Sequence, residues 1–227
     1  MKTWVITDIH GCSKTLEALL GRIGYNREDT LYLLGDYIDR GPDSKGVVDL
    51  VMQLKQTKHE IHCLLGNHEI MMLHALQQPT SQEAIHWKRF NGGEDTLRSF
   101  GAVTVKDIDS QYIDFMLGMA HYLEVDRYIL VHAGLNLSIA DPFSDKNAML
   151  WIRGDNTLNK KWLGERIIVH GHTPQGKSQI EKNVKKMNQH PIVGIDSGCV
   201  YPRGEYHHLC ALELHSHELV FQKNIDP

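Results

Sequence analysis

The sequence lacks the features that mark membrane and secreted proteins. No stretch of its 227 residues is apolar for long enough to span a lipid bilayer. Residues 1–8 enter a strand-like pattern almost at once, without the apolar run and cleavage site of a signal peptide. We therefore expect a cytoplasmic protein that does not act on membranes.

A strong charge of either sign is also missing. The formal net charge is only −4, from 24 basic and 28 acidic side chains. Nucleic acids and anionic membrane surfaces attract proteins with a basic excess, so neither is an expected partner. Internal repeats and low-complexity tracts are absent as well, and the length fits one domain, or one domain with a small insertion.

Cysteine is scarce, whereas histidine is abundant. The four cysteines stand far apart and form no C-x-x-C pair, so we expect reduced thiols. The 15 histidines exceed what this length leads one to expect. Because histidine is the commonest metal ligand in proteins, their placement matters.

Short apolar runs alternate with helical patterns in the first part of the chain. Residues 5–6, 31–34 and 61–65 read as strands. Between them, one helix is expected to be capped by Ser13 and another to open at Pro42. This β-α-β-α-β order with short connections predicts a largely parallel sheet with right-handed crossovers.

The middle of the chain differs from the parts on either side. Residues 69–121 read as mostly helical, and we interpret them as a helical cap inserted into a single domain that spans residues 1–227. Later apolar runs predict further strands, of which the last two suggest an antiparallel ending, at residues 128–131, 167–169, 192–195, 209–214 and 218–221.

Five polar clusters with glycine follow predicted strands directly: D-x-H-G at 8–11, G-D-x-x-D-R-G at 35–41, G-N-H-E at 66–69, H-A-G at 132–134 and H-G-H at 170–172. Glycine permits tight turns, and ligand sites gather where the strands of an open α/β sheet end. Carboxylates suit a cation and a guanidinium suits phosphate. The heptad 35–41 alone would also fit a solvated turn with an ion pair, but five such clusters do not.

This ordered series resembles the calcineurin-like metallophosphoesterases of the phosphoprotein phosphatase type, and most of all the short bacterial and phage serine/threonine protein phosphatases. The resemblance runs from Asp8 to Cys199. It implies an α/β (α+β) fold: a β-sandwich of two mixed sheets flanked by helices, in four αββα layers, with a helical insertion at about 69–121. In one departure, Thr7 replaces the family's usual glycine, and we expect it to crowd the first turn without removing a ligand.

The resemblance also implies two divalent metal ions that activate a water for attack on phosphorus. Nitrogen and oxygen ligands without thiolate favour manganese, with iron or zinc as the alternatives. The first ion would be held by the side chains of Asp8, His10 and Asp36. Asp36 would bridge to the second ion, whose remaining ligands would be Asn67, His132 and His172.

The other family roles fall on residues beside these ligands. His68 would protonate the leaving group, and Asp39 would orient its imidazole. Arg40 and Arg153, the latter in an L-W-x-R stretch, would bind the phosphate oxygens. Asn91 in the segment Asn91-Gly92-Gly93 either lines the substrate groove or marks a helix break.

The sequence leaves open the roles of His170 and of one basic stretch. His170 is less certain as a ligand than His172, because the family ligand aligns with the second histidine of H-G-H. The basic residues Lys182, Lys185 and Lys186 are expected in a solvated loop between two strands.

We predict a serine/threonine protein phosphatase that acts as a monomer on a phosphorylated protein or a small phosphoester. The alternative is a dinucleoside polyphosphate hydrolase, such as one that cleaves diadenosine tetraphosphate. Both share the metal core, so residues 69–121 and 174–191 would decide between them. A non-catalytic metal- or phosphate-binding module would lack an acid, a ligand or an arginine, whereas all of these are present.

Overall fold

The computed structural model describes residues 1–57, 59–154 and 159–227. Within these ranges the strands are β1 (Thr3–Ile6), β2 (Thr30–Leu33), β3 (Glu60–Cys63), β4 (Tyr122–Val125), β5 (Tyr128–Val131), β6 (Ile167–His170), β7 (Ile192–Gly194), β8 (His208–Glu213) and β9 (Leu219–Lys223). The helices are α1 (Ser13–Arg22), α2 (Ser44–Gln56), α3 (Asn67–Gln77), α4 (Gln82–Phe90), α5 (Gly93–Ser99), α6 (Ser110–Leu117), α7 (Lys146–Trp151), α8 (Lys160–Leu163) and α9 (Lys177–Lys185).

The strands form two mixed sheets, as the family resemblance implies. The first sheet has the order β3-β2-β1-β8-β9, in which β1, β2 and β3 run parallel and the last two strands pair antiparallel. The second sheet has the order β4-β5-β6-β7, and only β4 runs antiparallel to its neighbour. The predicted antiparallel ending of the chain is confirmed.

Successive side chains of a strand belong to different hydrophobic clusters, which shows how the two sheets and the helices are layered. On β1, Trp4 and Ile6 pack with the helices that cover the outer face of the first sheet, whereas Val5 points the other way. On β5, Leu130 shares the inner cluster with Val5, and Ile129 belongs to an outer cluster with residues of α7 and α8. The layers are therefore helices, sheet, sheet and helices.

The helical prediction for residues 69–121 is confirmed in secondary structure. Helices α3 to α6 and a 3₁₀ turn at Val105–Asp107 lie in or next to this segment. Its end returns to the first sheet, where Leu64 and Ala120 form a parallel bridge. The interpretation of the segment as a cap stays a prediction.

Several local predictions were wrong at element boundaries. Helix α2 begins at Ser44 rather than at Pro42, because the Asp43 carboxylate caps it by accepting from the Gly46 amide. Ser13 is the first residue of α1 and not its cap. The basic stretch ending at Lys186 is not a loop, since α9 buries Ile180 and Val184 along one face.

Two further predictions concern the state of the cysteines and the length of apolar helices. All four cysteines lie within the described residues, and each is a buried free thiol. Across residues 1–57, 59–154 and 159–227, no helix has the length and apolar character needed to cross a membrane.

Candidate active site

The predicted metal ligands meet where strands from both sheets end. Asp8 follows β1, and its amide donates to the Gly35 carbonyl at 3.2 Å, just after β2. His132 follows β5, and its carbonyl accepts from the Gly171 amide at 2.7 Å, just after β6. Parallel strands end at one edge of a sheet, so residues far apart in sequence converge there.

Asp36 lies at the centre of two groups of potential metal ligands. His10, Asp36 and His68 offer ligand atoms within 4.8 Å of one another, as do Asp36, His132 and His172. Asp36 Oδ2 lies 3.5 Å from His10 Nε2, and its Oδ1 lies 3.5 Å from His132 Nε2. The two carboxylate oxygens thus face different groups, which is the arrangement that a bridging ligand requires.

The chemistry of these atoms fits bound cations. The Nδ1 atoms of His10 and His132 donate to the carbonyls of Ile38 and Leu34, at 2.9 and 2.8 Å. Burial lowers the pKa of both histidines, so each ring is neutral and its Nε2 carries a lone pair. In His132 that lone pair faces the Asp36 carboxylate, and a cation would relieve the repulsion between the two acceptors. His10 Nε2 also accepts a hydrogen bond from Arg40.

The remaining ligands predicted for the second ion lie beside this group. Asn67 Oδ1 lies 2.9 Å from His132 Nε2 and 2.9 Å from His172 Nδ1. The other ring nitrogen of His172 is buried and has no hydrogen-bond partner among the described residues. His170 instead lies 3.0 Å through Nδ1 from the Gly171 carbonyl and belongs to neither group.

Asp8 is held against the loop that follows β6. Its Oδ2 accepts from the Thr7 hydroxyl at 2.5 Å and from the His172 amide at 2.9 Å. A side chain at Gly171 would place its Cβ 2.0 Å from Asp8 Oδ2 and 2.1 Å from Thr7 Oγ1. The expected crowding by Thr7 is therefore relieved by the glycine at 171.

His68 and Asp39 form a buried pair next to these ligands. His68 Nδ1 lies 2.6 Å from Asp39 Oδ2, and its Nε2 lies 3.9 Å from Asp36. Burial raises the pKa of Asp39 to about 7, although hydrogen bonds from Thr96 and Trp87 oppose that rise. Burial, and then the charge of Arg40, lowers the pKa of His68, so a neutral imidazole donates Nδ1–H to Asp39.

The Asp39 carboxylate is fixed from the helical segment. Trp87 on α4 donates its indole N–H to Oδ2 at 2.7 Å. Thr96 on α5 donates its hydroxyl to Oδ1 at 2.5 Å and accepts from the Asp39 amide at 2.9 Å. Sequence reasoning missed these two contacts, since 48 and 57 residues separate the partners.

Positive charge and a polar amide border the cluster. Arg40 donates from Nη1 to His10 Nε2 at 2.7 Å, and its guanidinium lies 5.9 Å from the Tyr201 ring centroid. Arg153, exposed just after α7, adds to the effect of burial in lowering the pKa of His172 to about 2. Asn91 ends helix α4 and donates to Met71 Sδ at 3.3 Å.

Strained backbone is concentrated in the same place. Among the residues that the structure describes, nine non-glycine residues have positive φ, and six of them are predicted site residues: Asp8 (54°), His10 (49°), Asp36 (57°), Asp39 (72°), Arg40 (70°) and His172 (66°). Conformations of this kind cost about 1–3 kcal/mol each and cluster at functional sites. The surrounding hydrogen bonds therefore hold the side chains in place against strain.

Two buried carboxylates beside these residues were not assigned from the sequence. Glu69 accepts from the amides of Asp36, Tyr37 and Gly66, each at 2.9 Å, and burial raises its pKa to about 7. Asp196 is buried near Asp8, and burial followed by the Asp8 charge raises its pKa. Glu69 was visible in the G-N-H-E motif, and Asp196 stands just after the predicted strand 192–195.

The four-layer sandwich, with carboxylates and histidines gathered at its strand ends, is the architecture of a metallophosphoesterase. Residues 1–220 match the family model described as calcineurin-like phosphoesterase, and the chain belongs to this family. The family predicted from the five motifs is confirmed.

Curated relatives carry the names of dinucleotide hydrolases. A bis(5'-nucleosyl)-tetraphosphatase PrpE [asymmetrical] from Oceanobacillus iheyensis is 26% identical over 88% of this chain and 85% of its own length. A symmetrical bis(5'-nucleosyl)-tetraphosphatase from Pseudomonas putida is 32% identical over 60% of this chain. The match covers only 43% of that relative's length.

Solved structures of two functional classes share the fold. The crystal structure of a candidate diadenosine tetraphosphatase superposes with a TM-score of 0.68 at 21% identity, covering 97% of this chain and 92% of the other. A serine/threonine phosphatase from Saccharomyces cerevisiae gives a TM-score of 0.67 at 16% identity, covering 100% and 81%. The fold alone does not separate the two substrate classes, whereas the names of the relatives favour the alternative over our first prediction.

Proposed function

We propose that this metallophosphoesterase hydrolyses dinucleoside polyphosphates such as diadenosine tetraphosphate. The observation that carries the chemistry is Asp36, whose two oxygens face separate histidine groups. The charge of Arg40 acts on Asp36, and the charges of Arg40 and Arg153 both act on His68 and His132. The substrate class is supported by the two tetraphosphatase relatives, one of which aligns over 85% of its own length. The function proposed here is thus the alternative of the sequence analysis.

The ligand roles are those that the family resemblance implies; the ligand group around His10 and Asp36 contains His68 and not Asp8. When bound, a pair of divalent ions would lower the pKa of a coordinated water and supply the nucleophile near neutral pH. One ion would be held by Asp8, His10 and Asp36, and the other by Asp36, Asn67, His132 and His172. Manganese, iron and zinc all suit this donor set.

The other side chains would act on the substrate directly. Arg40 and Arg153 would neutralise the phosphate oxygens and hold the chain of phosphates in one orientation. His68 would give the proton at Nε2 to the leaving oxygen, while Asp39 keeps the ring oriented through Nδ1. This role requires a proton at His68 Nε2 in addition to the one that Nδ1 donates to Asp39.

A phosphoserine phosphatase is the second candidate. A nucleoside phosphate leaves readily as an anion, whereas a serine alkoxide needs a proton from a well-placed acid. The His68–Asp39 pair, bonded also to Trp87 and Thr96, is a donor of that kind. Such a proton donor speeds the hydrolysis of phosphomonoesters more than that of phosphoanhydrides.

The deciding experiment compares kcat/KM for diadenosine tetraphosphate and for a phosphoserine peptide, with added manganese. We expect the dinucleotide to be preferred at least about a hundredfold, equivalent to roughly 2.7 kcal/mol of transition-state binding. Chromatography of the products would separate symmetrical cleavage into two molecules of ADP from asymmetrical cleavage into ATP and AMP. A preference for the peptide would return the assignment to a protein phosphatase.

Two substitutions test whether Asp36 is a metal ligand and His68 a proton donor. The metal content of each purified variant is measured beside its activity. Asp36→Asn should lose metal and activity together, because the bridge loses its charge. His68→Asn should keep its metal and lower kcat. Asp114→Asn, an exposed change on α6, serves as the control. Loss of metal from His68→Asn would make His68 a ligand instead.

A further inference from the structure

An open groove of about 750 Å³ lies between helices α3 and α4, beside the predicted metal centre. Its walls include Ile70 and Met71 from α3, Ile85 and Phe90 from α4, and Trp151 from the end of α7. The volume lies within the range of roughly 300–1,000 Å³ that is usual for small-molecule sites.

The groove gathers exposed apolar side chains that elsewhere are scattered. Among the described residues, seven large hydrophobic side chains are exposed, and three of them line this groove: Ile85 at 37%, Phe90 at 73% and Trp151 at 40%. The other four do not line it. Exposed apolar surface concentrated in one concave place is typical of a binding site.

The groove is continuous with the predicted phosphate site. The Trp151 ring centroid lies 6.4 Å from that of His172. Helix α3 carries Asn67 and His68 in its first turn and groove residues in its later turns. On the opposite side, Asn91 precedes Gly92, whose backbone packs so closely on Arg40 that a Cβ would lie 2.2 Å from the Arg40 amide nitrogen. A ligand with its phosphate at the arginines would extend directly into the groove.

Across the described residues, the lining lacks a side chain with a permanent positive charge for phosphate and suits an uncharged aromatic group. Within the described residues the lining contains no lysine or arginine, and Glu83 is its one carboxylate. Phe90 and His86 have ring centroids 5.1 Å apart, so they present a shared aromatic surface. Gln82, Glu83 and Asn91 supply hydrogen-bonding groups of the kind that read base edges or ribose hydroxyls.

We propose that this groove binds one nucleoside of the substrate, with its base stacked on Phe90 near Trp151, while the phosphates lie at Arg40 and Arg153. This inference rests on the proposed function and deepens it. Nucleobases stack on aromatic side chains with little dependence on sequence, because every base has a flat π-face. The groove therefore selects a nucleoside phosphate over a simple phosphate ester.

The test uses Phe90→Ala, with Phe90→Tyr as the conservative variant and Leu117→Ala as the control. Phe90 and Leu117 are both exposed, so loss of folding is not expected. The first measurement is the Kd of the metal-free protein for ADP, from calorimetric titration in the presence of a chelator. The second is KM for diadenosine tetraphosphate, beside kcat/KM for p-nitrophenyl phosphate.

We expect Phe90→Ala to weaken ADP binding and to raise KM for the dinucleotide by about tenfold, the loss typical of one stacking contact. Phe90→Tyr should restore both values, Leu117→Ala should change neither, and hydrolysis of p-nitrophenyl phosphate should be unaffected throughout.

Three other outcomes are informative. Unchanged ADP affinity in Phe90→Ala would overturn the nucleoside site. Dependence on Phe90 seen only with a phosphoserine peptide would make the groove a peptide site instead. Binding of ADP that depends on Phe90, without hydrolysis of the dinucleotide, would leave the nucleoside site standing and overturn the proposed function.

Discussion

At the scale of single residues, the site depends on hydrogen bonds that fix side chains before a substrate arrives. Asp39 shows this most clearly, because its carboxylate is fully buried and meets His68, Trp87 and Thr96 at once. A buried carboxylate with three partners cannot turn away from the imidazole. The orientation of His68 is thus set by residues of α4 and α5 that are distant in sequence.

The Thr96 hydroxyl can be tested by removing it while keeping its shape. Thr96→Val should slow kcat for alkyl phosphates, which need a proton on the leaving oxygen, and change p-nitrophenyl phosphate hydrolysis much less. It should also lower the free energy of unfolding by about 1–3 kcal/mol, since a buried donor to a carboxylate is lost. Thr96→Ser keeps the hydroxyl and should retain both values; equal slowing of both substrates would argue against a positioning role.

The raised pKa of Asp39, about 7 against an ordinary 3.8, predicts a pH dependence of stability. The folded metal-free protein binds this proton more tightly than the unfolded chain does. The contribution of Asp39 to the free energy of unfolding is therefore complete below pH 3.8 and is lost as the pH rises through 7. Between pH 5 and pH 8 the wild type should lose roughly 2–3 kcal/mol of unfolding free energy relative to Asp39→Asn. Urea unfolding with a chelator present measures this difference, and parallel pH profiles for the two proteins would contradict it.

At the scale of elements, the site is assembled from the residues that follow strands. Strands β1, β2, β5 and β6 and their motifs were predictable, because each predicted ligand stands within a few residues of its strand in the sequence. Helices α7 and α8 were missed because 6 and 4 residues span fewer than two turns and show no helical period. The contact from Trp87 to Asp39 leaves no local pattern at all, so only the folded chain reveals it.

The close packing after β6 predicts the effect of Gly171→Ala. The added methyl would lie 2.0 Å from Asp8 Oδ2 and 2.1 Å from Thr7 Oγ1, so metal affinity and stability should both fall. Removing one obstacle in the double variant Thr7→Gly/Gly171→Ala should restore part of the loss, giving a non-additive cycle. Gly21→Ala is the matched control, because its added methyl would meet nothing within 4 Å. Additive losses in metal titration and thermal unfolding would rule out the Thr7 contact as the cause.

At the scale of the whole molecule, the predicted metal centre draws ligands from both sheets. Asp8, Asp36 and Asn67 follow strands of the first sheet, while His132 and His172 follow strands of the second. Apolar contacts between the inner faces hold the sheets together, and the Tyr128 hydroxyl adds a hydrogen bond to the Leu214 carbonyl at 2.6 Å. Bound cations would add a polar link across the end of the sandwich, where carboxylates would otherwise repel one another.

Metal loading should therefore raise the stability of the entire domain. With free manganese at a hundred times its Kd, the gain should be about 2.7 kcal/mol for a single site that binds only the folded state. Thermal unfolding followed by calorimetry, with manganese or with a chelator, measures the shift in Tm. Asp36→Asn should show a much smaller shift, and equal shifts in both proteins would mean that manganese acts elsewhere.

Helix α4 lines the groove with one face and contacts Asp39, the partner of the proposed proton donor His68, with another. Phe90 lies exposed in the groove, whereas Trp87, three positions earlier, is buried against Asp39. A homologue that exchanged this helix to accept a different substrate would also replace the indole that anchors Asp39. If the two proposals hold, substrate specificity and proton delivery share one helix and cannot be exchanged independently. Evolution or engineering toward a new substrate has to proceed by single exposed positions on α4 rather than by grafting the helix.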